Sequence, residues 1–174
     1  MNRVAKFYKV SFEQYIKDFR DTFGEHFTIE EIRKVYDGIK LPKRATKGSA
    51  GHDIFSPINF VLEPNETVKI PTGIRCEIED GWVLHIYPRS SLGFKYRLQL
   101  DNVVGIIDED YFYSDNEGHI FIKMTNCSNE DKTVTVNADD AFAQGIFLQY
   151  GLTYDDNTTG IRNGGFGSTN QEHE

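Results

Sequence analysis

Short apolar stretches separated by turn-forming residues fill the chain from residue 39 onward, and they constrain the fold more than any other feature. They are rich in β-branched and aromatic residues, and several alternate apolar and polar side chains as half-buried strands do. They predict strands over residues 58–62, 67–78, 82–87, 120–125, 133–136 and 142–150. Many short strands with regular turns predict an all-β fold, a β-sandwich or barrel.

The first 38 residues carry a helical pattern instead. Aromatic and aliphatic side chains recur at helical spacing at Phe12, Tyr15, Ile16, Phe19 and Phe23. Ser11 with Gln14 predicts a capping box at the start of this helix, and Gly24 its end. Thr28 with Glu31 caps a second, shorter helix. We expect this helical hairpin to pack its aromatic face on the β body; the alternative is a docking surface for a partner.

Three segments are therefore predicted: a helical extension over residues 1–38, a β domain over residues 39–152 and an arm over residues 153–174. The arm has few core-forming residues and many glycines, which predicts flexibility. A chain of 174 residues is long enough for one domain with a real core.

Composition and charge exclude several classes of function. The formal net charge of -8 argues against direct binding of nucleic acid or membrane surfaces. No apolar run reaches the length of a membrane span and no signal-peptide pattern is present, which predicts the cytoplasm. We expect Cys76 and Cys127 to be buried thiols. The five histidines lack ligand spacing, so we expect no zinc site.

The run over residues 100–111 combines strand-forming pairs with three acids and a tyrosine. Asn102 lies in a predicted turn, so the run is typical of a β-hairpin. Gly105 indicates a bulge or a close approach to the backbone. Asp108 lies where a strand leaves the core, beside Tyr111, and such a carboxylate could act as a general base near a flat ligand. The alternative is a solvated acidic end of a hairpin.

Four further stretches carry polar groups. Residues 48–54 are small and flexible and then carry one acid. Residues 88–93 offer a guanidinium, two hydroxyls and backbone N–H groups, a set that suits phosphate oxygens. Residues 143–145 interrupt a strand with an amide, and residues 162–169 place a phenylalanine in a glycine-rich segment. Each stretch alone has an ordinary structural explanation.

Taken together and in this order, the motifs resemble those of the trimeric dUTP pyrophosphatase (dUTPase) family. The resemblance spans about residues 39–170 and rests on segments 50–54, 88–93, 102–111, 143–144 and 164–169. It implies a jelly-roll-like, distorted β-barrel and a homotrimer with active sites shared between subunits. It also implies Mg²⁺-dependent hydrolysis of dUTP to dUMP and pyrophosphate, a reaction that limits uracil in DNA and supplies dUMP for dTMP synthesis.

The resemblance implies roles for individual residues. Asp108 resembles the base that activates the attacking water, and Asn102 and Gly105 belong to the hairpin that reads uracil. Tyr111 resembles the ring that packs under deoxyribose, and Asp53 an acid near the water shell of the metal. The metal itself is expected to be held by phosphates and water. The other residues that resemble substrate contacts are Arg89, Ser90, Ser91, Gln144, Arg162, Phe166 (the lid over uracil), Gly167, Ser168 and Thr169.

Two departures from the family pattern stand out. Residues 112–118 form a longer link than the family has, and we expect them to protrude. Arg162 lies four residues before Phe166, where the family arginine lies five before. Two alternative functions remain: a dCTP deaminase, for which Glu109 and Glu117 are the nearby acids, and a regulatory protein that binds nucleotide and signals to a partner through the helical hairpin or the loop near Asn116.

Overall fold

The computed structural model describes residues 2–162 and Gly164, and short strands dominate it. The strands are β1 (Ala5–Lys9), β2 (Lys43–Arg44), β3 (His52–Phe55), β4 (Phe60–Leu62), β5 (Thr67–Pro71), β6 (Ile74–Ile78), β7 (Trp82–Pro88), β8 (Leu98–Leu100), β9 (Gly105–Ile107), β10 (Phe121–Asn126), β11 (Val134–Val136) and β12 (Ala141–Gln149). The helices are α1 (Phe12–Phe23), α2 (Ile29–Gly38), α3 (Ser90–Tyr96) and a 3₁₀ turn (Glu109–Tyr113).

Four antiparallel sheets surround one core. The largest has the order β2-β3-β12-β7-β9, and a second has the order β5-β10-β8. The two remaining pairs are β1 with β6 and β11 with β4. Buried residues from all of these sheets, among them Ile54, Ile70, Leu84, Ile122 and Val134, join a single cluster. This mostly-β architecture confirms the predicted jelly-roll-like fold class.

Two predicted β segments differ in detail from the structure. The single strand predicted over residues 67–78 is broken at Thr72-Gly73, where Gly73 has a φ of +72°, and β6 leaves to pair with β1. The predicted hairpin over residues 100–111 is also split. Strand β8 bonds to β10 and strand β9 bonds to β7, so the turn at residues 101–104 joins two sheets. Helix α3 was not predicted, because residues 90–96 carry no amphipathic repeat.

The predicted N-terminal helical hairpin is present. The Ser11 hydroxyl accepts a bond from the Gln14 backbone N–H at 3.1 Å, but Gln14 does not complete the predicted box. Glu117 does so instead, since its carboxylate accepts from the Ser11 N–H at 2.7 Å and from the Ser11 hydroxyl at 2.6 Å. At α2 the Thr28–Glu31 capping box is complete.

The helical hairpin packs on the β body, as expected. Tyr15, Phe19 and Ile32 are buried in the same core as the sheets, and full burial of such a side chain contributes about 1.5–3 kcal/mol. Strand β1, which the sequence pattern did not predict, adds an antiparallel partner to β6. The N-terminal residues thus share the core of the β body, and the boundary at residue 38 stays a prediction.

The link at residues 112–118 was expected to protrude, and that expectation is wrong. The chain folds back on itself: the Ser114 hydroxyl donates to the Tyr111 carbonyl at 2.7 Å, and Gly118 turns the chain with a φ of +69°. Ser114 and Gly118 are buried, whereas Tyr113 and Asp115 are exposed. The bond from Glu117 to Ser11 then ties the loop to α1, so local polar contacts replace a protruding arm.

Both cysteines are free thiols, as expected, although Cys127 is only partly buried. Burial raises the pKa of the Cys76 thiol, which makes it a poor nucleophile. None of the helices within the described part of the chain is long and apolar enough to cross a membrane.

Candidate active site

Four predicted phosphate contacts, and the acid expected near the water shell of the metal, lie together at one end of β7. They are called the Arg89 cluster: Asp53, Arg89, Ser90, Ser91 and Gln144. They line one cavity of about 350 Å³. The sheet registers explain why, because Asp53 on β3 lies opposite Gln144 on β12, and Gln144 lies opposite Tyr87 near the end of β7. The hydroxyl-bearing residues follow directly at the start of α3.

Contacts within the Arg89 cluster fix its side chains. The Arg89 Nε lies 3.2 Å from Asp53 Oδ1, and Gln144 Nε2 donates to the Pro88 carbonyl at 3.1 Å. A Cβ at Gly51 would lie 2.6 Å from the Gln144 amide oxygen, so glycine lets this amide keep its present position. The result is a guanidinium, two hydroxyls and an amide around one cavity, a set suited to an anion with several oxygens.

The Asp108 cluster lies where β9 ends and comprises Asp108, Asp110, Tyr111 and Arg162. Arg162 Nη2 bonds to Asp108 Oδ2, and Arg162 Nε donates to Asp110 Oδ1 at 2.8 Å. The same guanidinium lies 5.9 Å from the centre of the Tyr111 ring. The Asp108 side chain remains 46% exposed, so a reactant could reach its carboxylate from solvent.

Tyr111 is held on both sides of its hydroxyl. The hydroxyl donates to the His119 carbonyl at 2.7 Å and accepts from Asn116 Nδ2 at 2.9 Å. Burial raises the pKa of Tyr111, so the phenol stays neutral. Because the ring is only 6% exposed, its position is set by the protein interior.

A third feature is the pocket beneath the turn between β8 and β9, called here the hairpin pocket. Its volume is about 440 Å³, and its lining includes Asn102, Gly105, Ile86, Leu100, Ile107, Ile122, Lys69 and Lys123. A Cβ at Gly105 would lie 3.1 Å from that of Ile86, so this glycine allows close approach of β9 to β7. Asp101 fixes the turn, since it accepts from the Thr125 hydroxyl at 2.6 Å and pairs with Lys123 at 3.1 Å.

The Arg89 and Asp108 clusters lie at opposite ends of β7. Ile107 pairs with Leu84, so Asp108 follows beside the start of β7, whereas Arg89 follows the end of that strand. The six residue steps from Val83 to Arg89 span roughly 20 Å in an extended chain. One chain therefore does not place both clusters around one small reactant.

The structure brings the residues of the Arg89 cluster together, and it also brings together Asp108, Tyr111 and Arg162. Arg162, expected as a substrate contact, bonds to Asp108 and Asp110 in the free chain. Phe166, Gly167, Ser168 and Thr169 lie outside the described residues. The sequence did not identify the residues whose contacts hold the site residues in place: Asp101, Asp110, Asn116 and His119. Asp101, Asp110 and His119 bond to residues remote in sequence. Asn116 bonds to Tyr111 within a loop whose fold no periodic pattern specifies.

The residues around these clusters bear on metal binding. Within residues 2–162 and Gly164, no three His, Cys, Asp or Glu side chains come together to hold a metal ion. Asp53 lines the cavity of the Arg89 cluster as a single carboxylate paired with Arg89. This donor set fits a hydrated ion held by a bound anion, with Asp53 accepting from its water.

Comparison with known proteins decides the family. The dUTPase family model matches residues 37–170. The chain belongs to the dUTPase family. It is 41% identical over 135 residues to the deoxyuridine 5'-triphosphate nucleotidohydrolase of Lactococcus lactis, covering 76% of this chain and 89% of that protein. It is 37% identical to the protein of that name from Tolumonas auensis, over 74% of this chain and 86% of the other.

Solved dUTPase structures agree. The dUTPase of Streptococcus mutans is 37% identical with a TM-score of 0.59, over 67% of this chain and 90% of that one. A dUTPase of Staphylococcus bacteriophage 80alpha has a TM-score of 0.63 over 93% of this chain and 100% of the other. At 18% identity this second likeness shows the fold alone.

Proposed function

We propose that the chain hydrolyses dUTP to dUMP and pyrophosphate, with Asp108 as the base that activates water. One observation carries this proposal: in a member of the dUTPase family, a half-exposed carboxylate at a rigid strand end lies beside a fixed aromatic ring. Hydrolysis at this site limits uracil in DNA and supplies dUMP. The cytoplasmic location inferred from the sequence stays a prediction.

The chemical step is an in-line displacement at the α-phosphorus. Asp108 accepts a proton from the attacking water, the new P–O bond forms, and the bond to the bridging oxygen breaks as pyrophosphate leaves. A base placed in this way contributes about 10²–10⁴-fold. In the free chain Arg162 bonds to Asp108.

The Arg89 cluster is proposed to bind the phosphates. Arg89 and the hydroxyls of Ser90 and Ser91 can donate to phosphate oxygens, and Gln144 adds an amide. Mg²⁺, held by the phosphates and water with Asp53 nearby, would offset the triphosphate charge that an acidic protein otherwise repels. From the part of the arm outside the described residues, Phe166 is proposed to cover uracil, and Gly167, Ser168 and Thr169 to approach the phosphates.

The hairpin pocket is proposed to read uracil, and Tyr111 to exclude ribose. Backbone groups near Asn102 and Gly105 would pair with the edge of uracil. Cytosine would leave groups unpaired at about 1–3 kcal/mol each. A ring held as firmly as Tyr111 leaves no room for a 2′-hydroxyl, and overpacking costs about 1–3 kcal/mol.

Shared sites in a homotrimer would bring the two clusters together. Asp108 and Arg89 are separated by the length of β7, far more than the few bonds between the α-phosphorus and the other phosphates. A site that uses both residues must take them from different copies of the chain. The closed trimer expected from the family meets this requirement, and sedimentation measures its mass.

The direct test is release of pyrophosphate from dUTP, with dCTP and UTP as comparison substrates. Rapid release from dUTP alone is expected. Release of ammonia from dCTP would favour the deaminase alternative, although both of its candidate acids already have structural partners: Glu109 accepts from the Gly81 N–H, and Glu117 from Ser11. Tight binding of dUTP without turnover would favour a regulatory protein that signals to a partner.

A further inference from the structure

A buried hydrogen-bonded pair lies directly behind Tyr111. His119 is fully buried, and its Nε2 accepts from the Gly73 backbone N–H at 2.8 Å. The ring proton therefore resides on Nδ1, which donates to Asp18 Oδ2 at 2.5 Å. Asp18 lies on α1, and the same carboxylate oxygen accepts from Gln14 Nε2 at 2.8 Å. The ring of His119 thus has one orientation, fixed by partners on both nitrogens.

The backbone of His119 passes this constraint to Tyr111. Its carbonyl accepts the Tyr111 hydroxyl bond at 2.7 Å, and its N–H donates to the Asn116 carbonyl at 3.1 Å. Asn116 supplies the second bond to the same hydroxyl. Both partners of Tyr111 therefore belong to the loop of residues 112–119. This loop is anchored to the N-terminal segment at two points. His119 bonds to Asp18, and Glu117 bonds to Ser11.

These anchors lie outside the part of the chain that matches the family. The dUTPase model begins at residue 37, whereas Ser11 and Asp18 lie in the N-terminal helical hairpin. The loop that they anchor was also the one longer than the family link. A buried carboxylate is costly unless fully bonded, and Asp18 has two bonds within the protein. The N-terminal extension and the long loop therefore contact each other directly behind Tyr111.

We propose that the buried Asp18–His119 pair positions Tyr111, so that helix α1 sets the discrimination between deoxyribose and ribose. This inference rests on the proposed function, in which Tyr111 excludes the 2′-hydroxyl. Asp18 and His119 are positioning residues that act through Tyr111. A small shift of a substrate-facing group is sufficient to change selectivity without removing the chemistry.

The test compares two substitutions at Asp18. Asp18→Ala leaves the His119 Nδ1–H without an acceptor, and we expect the ratio of kcat/KM for dUTP over UTP to fall roughly tenfold, with a raised KM for dUTP and a kcat within about threefold of wild type. Asp18→Asn keeps an oxygen acceptor at the same place and should retain the wild-type ratio within about twofold.

The matched control is Tyr36→Phe, which removes the bond of 2.7 Å from the Tyr36 hydroxyl to the Val10 carbonyl elsewhere in the extension. It should lower the melting temperature and leave the ratio unchanged. The proposal is overturned if Asp18→Ala lowers the melting temperature with an unchanged ratio. If Asp18→Ala does not fold, Asn116→Ala replaces it, and an unchanged ratio there overturns the proposal too. Absence of pyrophosphate release by the wild type would instead refute the proposed function.

Discussion

The two ends of strand β7 present different kinds of recognition surface. At the end with the Arg89 cluster, a partly exposed guanidinium pairs with one carboxylate, and two hydroxyls face an open cavity. At the end with the Asp108 cluster, Tyr111 is almost fully buried and both sides of its hydroxyl are bonded. The first end suits attraction of charge, and the second suits rejection of a wrong shape.

This difference follows from the physics of the groups. Exposed charges adapt to a charged ligand at small cost, but salt screens them and their energy is modest. A buried hydrogen-bonded ring cannot adapt, so an ill-fitting substrate meets steric and unpaired-bond penalties. One nucleotide contains both problems, a flexible charged chain and a compact nucleoside. Under the proposed function, these two problems are met near opposite ends of β7.

The largest effect is expected at the reacting end. Asp108→Asn keeps the shape of the side chain and removes the base, so kcat for dUTP should fall by about 10²–10⁴-fold while nucleotide affinity is retained. Stopped-flow measurement of proton or pyrophosphate release gives kcat, and equilibrium titration gives the affinity. A kcat within a few-fold of wild type would remove Asp108 from its proposed role.

The next prediction tests whether one active site takes its Asp108 and its Arg89 from different subunits. Asp108→Asn and Arg89→Ala chains, each nearly inactive alone, should regain activity when mixed under conditions of subunit exchange. A site that takes Asp108 from one subunit and Arg89 from another is intact in about one case in four, so about a quarter of wild-type activity is expected.

The matched control for this mixture uses two variants of one cluster. Arg89→Ala mixed with Gln144→Ala leaves every site with a damaged Arg89 cluster, because both residues come from the same chain. No activity should return in that mixture. Equal recovery in the two mixtures would contradict shared sites.

A smaller effect is expected on selectivity. Tyr111→Ala should lower the kcat/KM ratio of dUTP over UTP by about 10-fold or more, since the packing against the sugar is lost. Tyr113→Ala is the control, because this neighbouring tyrosine is 75% exposed and contacts no proposed substrate site. The kcat/KM ratio is independent of the folded fraction, so an unchanged ratio in Tyr111→Ala would contradict the proposed exclusion of ribose by Tyr111.

Salt should affect the two ends of β7 differently, which can be tested without any substitution. Raising the ionic strength from about 0.05 to 0.5 M screens the exposed Arg89 cluster, so KM for dUTP should rise a few-fold. The ratio of dUTP over UTP depends on the buried Tyr111 and should stay constant. Steady-state assays over a sodium chloride series measure both quantities, and a ratio that falls together with the affinity would contradict this division of labour.

The sequence predicts the site better than it predicts what supports the site. Local motifs identified the Arg89 cluster and Asp108, because these residues lie at strand ends with recognisable neighbours. Glu117 appeared only as a nearby acid, and its bond to Ser11 spans more than a hundred residues. The pairing of Asp18 with His119 is equally remote. Such contacts follow from packing, and no periodicity in one sequence specifies them.

The smallest predicted effect concerns acid stability. Burial raises the pKa of Asp18, but its bonds to His119 and Gln14 outweigh this and lower the pKa below the usual 3.8. The folded state therefore favours the ionised carboxylate, and its contribution to the free energy of unfolding is present above pH about 4 and is lost as the pH falls through the folded-state pKa. Asp18→Asn lacks this contribution, so urea denaturation should show a wild-type advantage that is constant from about pH 5 to 7 and shrinks below pH 4. Asp21→Asn, at an exposed position of the same helix, should follow the wild-type profile. An advantage that persists undiminished to the lowest pH at which the protein folds would show that the Asp18 carboxylate is not held in its ionised form.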